Sequence, residues 1–223
     1  MFLLYIAMGI TAIVLMSPVA NAVGIAAKLA AIAEHAPRVR LTIVLSQLII
    51  VAALVLAVAL YALTRDQDRD LALLALSFRF AEGVIGAVFL FGTVGLLWLG
   101  TATGPADPEL SAANSLCALL LKMQGWSPLI GAFPFAVGST LYCWLFLRAR
   151  SIPVPLAWLG VFASILLVLL LPAQLAGFIS GLVTGLMWLP MLVFEVVFAL
   201  WLLIRGVAGP TMQESEAPMG ETT

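Results

Sequence analysis

The sequence predicts an all-α fold, a polytopic integral membrane helical bundle with six transmembrane helices. Composition points there first: 64% of the 223 residues are apolar and 9% charged, where soluble domains run near ~45–50% and ~25%. Mean hydropathy is +1.18. Uncharged apolar runs then recur at the ~20 residues that one crossing of the hydrocarbon layer needs. A water-soluble globule of this length could not hide so much apolar surface, which excludes an ordinary soluble domain.

The first run, Phe2 to Gly24, carries no charge. Ala20-Asn21-Ala22 has the small-x-small look of a leader cleavage site, but the run lacks a basic lead and is long for a leader core, so an uncleaved helix is expected. The Ala-rich stretch from Ala26 to Ala36, stopped by Pro37, reads as an interfacial helix or an extension of the first span. Leu41 to Leu63 and Leu71 to Thr101 form the second and third spans, joined by the tight connection Thr64–Asp70.

Asp107-Pro108-Glu109 then signals a helix start and Gly125 a stop. Between them Leu110, Ala113, Cys117, Leu120 and Leu121 make an apolar stripe, which predicts a helix lying on the membrane surface. Gly125 to Leu147, Leu156 to about Ser180 and about Leu182 to Ile204 supply the remaining spans. The domain reading is thus a membrane domain over 1–207, followed by a disordered tail, 208–223, with three Glu and two Pro.

Other residues refine the spans. Trp98, Trp126, Trp144, Trp158, Trp188 and Trp201 can be placed toward span ends, with Tyr61 and Tyr142 beside Arg65 and Arg148, as amphipathic rings at headgroup level would be. Pro134, Pro172 and Pro190 mark kinks, and Gly177, Gly181 and Gly185 read as close packing around the last hairpin. Gln47 and Gln174 are expected to hydrogen-bond across the bundle. His35 reads as a solvated loop residue. Cys117, in a loop, and Cys143, in a span, read as small apolar fillers that do not pair.

Charge excludes more partners than it suggests. The net charge of −1 gives no basic field to attract nucleic acid. Arg65, Arg69, Arg148, Arg150 and Arg205 fall on one side of the membrane, against Lys28, Arg38, Arg40 and Lys122 on the other. This small excess, with the short connections, predicts both termini cytoplasmic.

Only Arg79, Glu82 and Glu195 fall inside spans, where a charge costs about 2.5–3.5 kcal/mol even on a lenient scale. At 1.5 Å per residue, Arg79 and Glu82 lie ~13 Å and ~18 Å beyond Asp70, and Glu195 ~15 Å back from Arg205. All three therefore reach similar depth. Arg79 and Glu82 share a helix face and can pair. Ala75, Gly86 and Thr93 continue that face with small or polar side chains, so it should point into the bundle, where the third and sixth helices are expected to meet. Two carboxylates against one guanidinium leave the cluster at −1 when all are ionised. A membrane carboxylate in that position is a candidate for a substrate path or proton relay; the alternative is an ion pair that only fixes how helices dock.

Further residues carry a resemblance. Leu60-Tyr61, Arg65, Leu71-Ala72-Leu73-Leu74-Ala75-Leu76 and Arg79-x-x-Glu82 begin it. Gly138-Ser139, Leu141-Tyr142, Arg148, Ser151-Ile152-Pro153 and Gly160 continue it, and Phe194-Glu195, Trp201-Leu202-Leu203 and Arg205-Gly206 end it. On these the chain resembles the bacterial domain-of-unknown-function 4386 family of multi-pass membrane proteins, departing where Val154 and Pro155 replace a basic–aromatic pair. The resemblance implies a helical bundle of the bacterial plasma membrane, with the Arg-x-x-Glu and Phe-Glu segments acting as one feature. It supplies no substrate.

Three function classes follow. The first is binding or transport of a small or lipidic ligand at the Arg79, Glu82 and Glu195 cluster. The second is a structural or accessory protein, working with a membrane-protein partner or as a homo-oligomer, in which the cluster only locks packing. The third is an intramembrane enzyme using two glutamates as acid and base. No nucleophile–base pair, metal motif or cofactor-binding loop occurs in the sequence, so no catalytic residue, metal or cofactor is assigned.

Overall fold

The computed structural model describes residues 2–102 and 110–205, with side chains over 3–102 and 114–205. The expected start at Asp107–Glu109 and the expected tail, 208–223, lie outside the described residues. All regular structure within them is helical: α1 (Phe2–Asn21), α2 (Ile25–Glu34), α3 (Ala36–Thr64), α4 (Arg69–Ala102), α5 (Leu110–Ala149), α6 (Val154–Leu175), α7 (Leu182–Leu186) and α8 (Leu189–Arg205). Six segments are long and apolar enough to cross a membrane, namely α1, α3, α4, α5, α6 and the α7–α8 segment. The protein is a multi-pass membrane protein whose outer surface meets lipid.

The outward faces show why. Ile13, Phe91 and Leu169 are among many large apolar side chains left exposed, at 72%, 76% and 66%. Such a surface is stable only against acyl chains. Trp98, Trp126, Trp144 and Trp158 join it. Tyr142 does not, contrary to its expected place at headgroup level: it is 2% exposed and donates its hydroxyl proton to the Ala57 carbonyl on α3 at 3.0 Å. A buried phenol needs an acceptor, and a carbonyl of the neighbouring helix supplies it.

The crossing helices form a ring, each packed on the next in the order α1, α3, α4, α5, α6, α8, with α8 returning to α1. One core joins α3, α5, α6 and α8 around Tyr142, Phe146, Leu167 and Phe198. A second sits at the other end of the bundle around Val19, Ile32, Val39, Leu96, Leu99 and Cys117.

Several connections differ from the sequence reading. The Ala-rich stretch is a separate helix, α2, set off by Gly24 at φ 90°. The Ala-rich helix ends at Glu34, just ahead of Pro37, which lies in the first turn of α3, where a missing N–H breaks no bond. The expected surface helix and its Gly125 stop are also corrected. The chain runs unbroken through Gly125 as the 40-residue α5, and Cys117 is a buried helical residue of that element. Cys117, Leu120 and Leu121 find α2 and α4 to pack on, which offers more burial than a headgroup surface would.

Gly177 and Gly181 adopt φ of 81° and 69°, and a Cβ on Gly177, Gly181 or Gly185 would meet nothing within 4 Å, so this series shapes a turn and does not pack helices. Pro190 opens α8 next to a break in the sixth span. On the opposite side, the Asp68 carboxylate accepts a bond from the Leu71 N–H at 3.1 Å, capping α4. It also lies 3.6 Å from Arg148, tying two connections together.

The cross-bundle glutamine is neither Gln47 nor Gln174. Gln124 on α5 donates to the Thr93 hydroxyl at 2.6 Å and to the Phe89 carbonyl at 3.1 Å, both on α4. Gly92 leaves it room, since a Cβ there would come within 3.1 Å of its Nε2. Gln124→Leu is expected to lower stability by about 1 kcal/mol, the size of measured interhelical bonds in lipid. Equilibrium unfolding in mixed micelles, compared with Gln47→Leu as a near-neutral control, checks this.

Candidate functional site

Arg79 and Glu82 project from one face of α4 and meet at 2.8 Å between Nη1 and Oε2. The contact is close but poorly directed: neither atom has a hydrogen bond of good geometry, and Arg79 Nε has none. Arg79 is 4% exposed, and three neighbours fix it. Its guanidinium lies over the Phe135 ring, 4.7 Å from the centroid. Its methylene stem lies along Gly138, where a Cβ would stand 3.1 Å from Cγ and 3.1 Å from the Ala75 carbonyl oxygen. Ala75 is fully buried, and the small-residue face of α4 does point inward.

Glu82 borders an open cavity of about 480 Å³ lined by residues of α1, α3, α4, α5 and α8. Most of the wall is apolar: Ile49, Ile50 and Ala53 from α3, Gly83 and Gly86 from α4, Pro128, Gly131, Ala132 and Phe135 from α5, and Met191 and Leu192 from α8. Tyr5, Glu82, Ser127, Trp188 and Glu195 bring polar atoms to it. Glu195, on the inner face of α8, has no ion pair within 4.0 Å among the described residues. It borders a second, adjoining space of about 30 Å³ as well, opposite Arg79 and beside Ser139, Tyr142 and Cys143. That volume holds roughly one water molecule.

The geometry separates two relationships that the sequence had merged. Arg79 and Glu82 pair within one helix, whereas Glu195 reaches the same region from across the interior. The third and sixth spans do not pack side by side: α4 rests on α3 and α5, α8 on α6 and α1, and the cavity lies between α4 and α8. Phe135, Met191 and Phe194 fill the remaining space near Arg79, with Phe194 stacked on Phe198 at 5.4 Å.

Three polar contributors escaped sequence reasoning. Tyr5 lies near the start of α1, where an aromatic reads as an interfacial anchor, yet it turns into the cavity. Ser127 and Gln124 sit where the surface helix was expected to give way to the fourth span. Tyr5 and Ser127 carried one signal, a lone polar atom within a long apolar run. Cys117 and Cys143 are both free and buried on α5, ~39 Å apart along the axis at 1.5 Å per residue, so they cannot pair.

Comparison with known families gives one match: the family described as Domain of unknown function (DUF4386) covers residues 1–206. The chain belongs to that family. No curated protein and no solved structure matches it.

Proposed function

We propose, with membership of that family as the premise, that the protein binds a small or lipidic ligand in the central cavity and moves it within or across the bilayer. Residues Glu82 and Glu195 act as the polar contacts, and Arg79 holds Glu82 in place from behind. The observation that carries this reading is the cavity itself. About 480 Å³ with an apolar wall and a few convergent polar groups has the size and character of a small-molecule site. On this reading the protein resides in the plasma membrane of a bacterium with both termini in the cytoplasm, as its basic connections suggest.

A second reading, a structural or accessory protein, is favoured by the Arg79–Glu82 pair, which is buried against Phe135 and serves packing as it stands. Glu195 has no such partner to lock, and this weighs toward the ligand.

Mass spectrometry of the gently purified protein distinguishes the two. A co-purifying lipid or metabolite is expected in the wild type, reduced at least several-fold in Glu195→Gln and in Gly131→Leu. The latter fills the cavity from a position where a Cβ has ordinary room, 3.8 Å from Ile85. An identical mass profile in all three proteins would leave the structural reading standing.

A further inference from the structure

Charge is distributed unevenly between the two adjoining spaces. Arg79, which is buried, is among the described residues lining the small space and not among those lining the large one. Its guanidinium lies over the Phe135 ring, 4.7 Å from the centroid, and its stem runs along Gly138. The large cavity is lined by two carboxylates, and no Lys, Arg or His is among its described lining residues. One carboxylate has its counter-ion at 2.8 Å; the other has none within 4.0 Å.

Desolvated single-sign charge of this kind is stabilised by a ligand of opposite sign. Tyr5 and Trp188 add aromatic faces, which attract alkylammonium groups through their ring quadrupoles. The rest of the wall, from Ile49 to Leu192, suits a hydrocarbon body and offers a charged one nothing. An inorganic cation is a poor match, because so few oxygens converge in so large a space.

We infer that the cavity takes a cationic amphiphile, an amine or quaternary ammonium head placed between Glu82 and Glu195 with an apolar body along α3 and α5. This rests on the cavity-binding reading and adds the sign of the ligand's charge. Glu195, with no ion pair within 4.0 Å among the described residues, takes the head, and Glu82 orients it while paired with Arg79. An anionic amphiphile is disfavoured at the same place, because the described lining residues include two carboxylates and no cation.

The test is equilibrium binding to the purified full chain in an uncharged maltoside detergent. Three probes of one chain length are compared: decyltrimethylammonium, its uncharged analogue with carbon in place of nitrogen, and decylsulfonate. The ammonium is expected to bind the wild type about tenfold or more tightly than either of the others. The preference should vanish in Glu195→Gln and persist in Glu195→Asp, with all binding lost in Gly131→Leu. Thermal unfolding of each variant reports whether it is folded. If the uncharged or sulfonate probe binds as tightly as the ammonium, the charge assignment is overturned while cavity binding survives. If no probe shows binding that Gly131→Leu abolishes, both fall.

Discussion

Replacing Arg79 with methionine is expected to cost about 3 kcal/mol of stability, because it leaves Glu82 without its counter-ion in a medium that cannot hydrate it. Methionine retains the unbranched stem, so the groove along Gly138 stays filled and the loss reports the charge. The estimate sits at the lower end for broken buried pairs because Glu82 borders a cavity and is 17% exposed. The double variant Arg79→Met/Glu82→Met should recover most of the loss, as apolar replacements of whole ion pairs commonly do. Reversible unfolding in mixed micelles measures all three proteins. A single variant as stable as the wild type, or a double variant no better than the single, would show that the two charges are not coupled.

The second large effect is steric. A Cβ on Gly160 of α6 would lie 2.6 Å from Cys143 Sγ on α5 and 2.6 Å from Phe194 Cε2 on α8. Neither distance is tolerable, and neither neighbour is the free end of a flexible chain. Phe194 is stacked on Phe198, which in turn lies 5.5 Å from Phe146. Gly160→Ala is therefore expected to destabilise by about 1–3 kcal/mol, the usual range for overpacking, and Gly160→Val by more. Adding Cys143→Ala should restore only part, because the contact with Phe194 remains. The shift in unfolding midpoint decides it, and an unchanged midpoint for Gly160→Ala would mean that the helices separate there without cost. Because Phe194 adjoins Glu195, this packing also sets where the carboxylate of α8 stands.

How much of this was legible beforehand depends on what each residue answers to. Spans were legible because hydrocarbon imposes a rule that each residue obeys separately, and a charge in a run of twenty stands out whatever its partners. Arg79, Glu82 and Glu195 were visible for that reason. The inward face of α4 was visible too, since Ala75, Gly86 and Thr93 recur at helical spacing. Relationships between helices were less so. Whether α4 meets α8 or faces it across a gap depends on the bulk of Phe135, Met191 and Phe194 from other elements, and no periodicity encodes that. Gly125 misled because local stop signals are weak, and burial of Cys117 against other helices overrides them. Tyr142 misled because an aromatic near an arginine fits a headgroup position as well as a buried one.

Two prolines lie within α5, Pro128 and Pro134, and both fall in the stretch that borders the cavity. Each lacks the N–H that would bond back four residues, so the carbonyls of Gln124 and Ile130 lose their usual donors. The longest helix is thus least stiff at the depth of its ligand-sized space. Above that joint it is clasped to α4 by Gln124, and below it by the seat that Gly138 makes for Arg79.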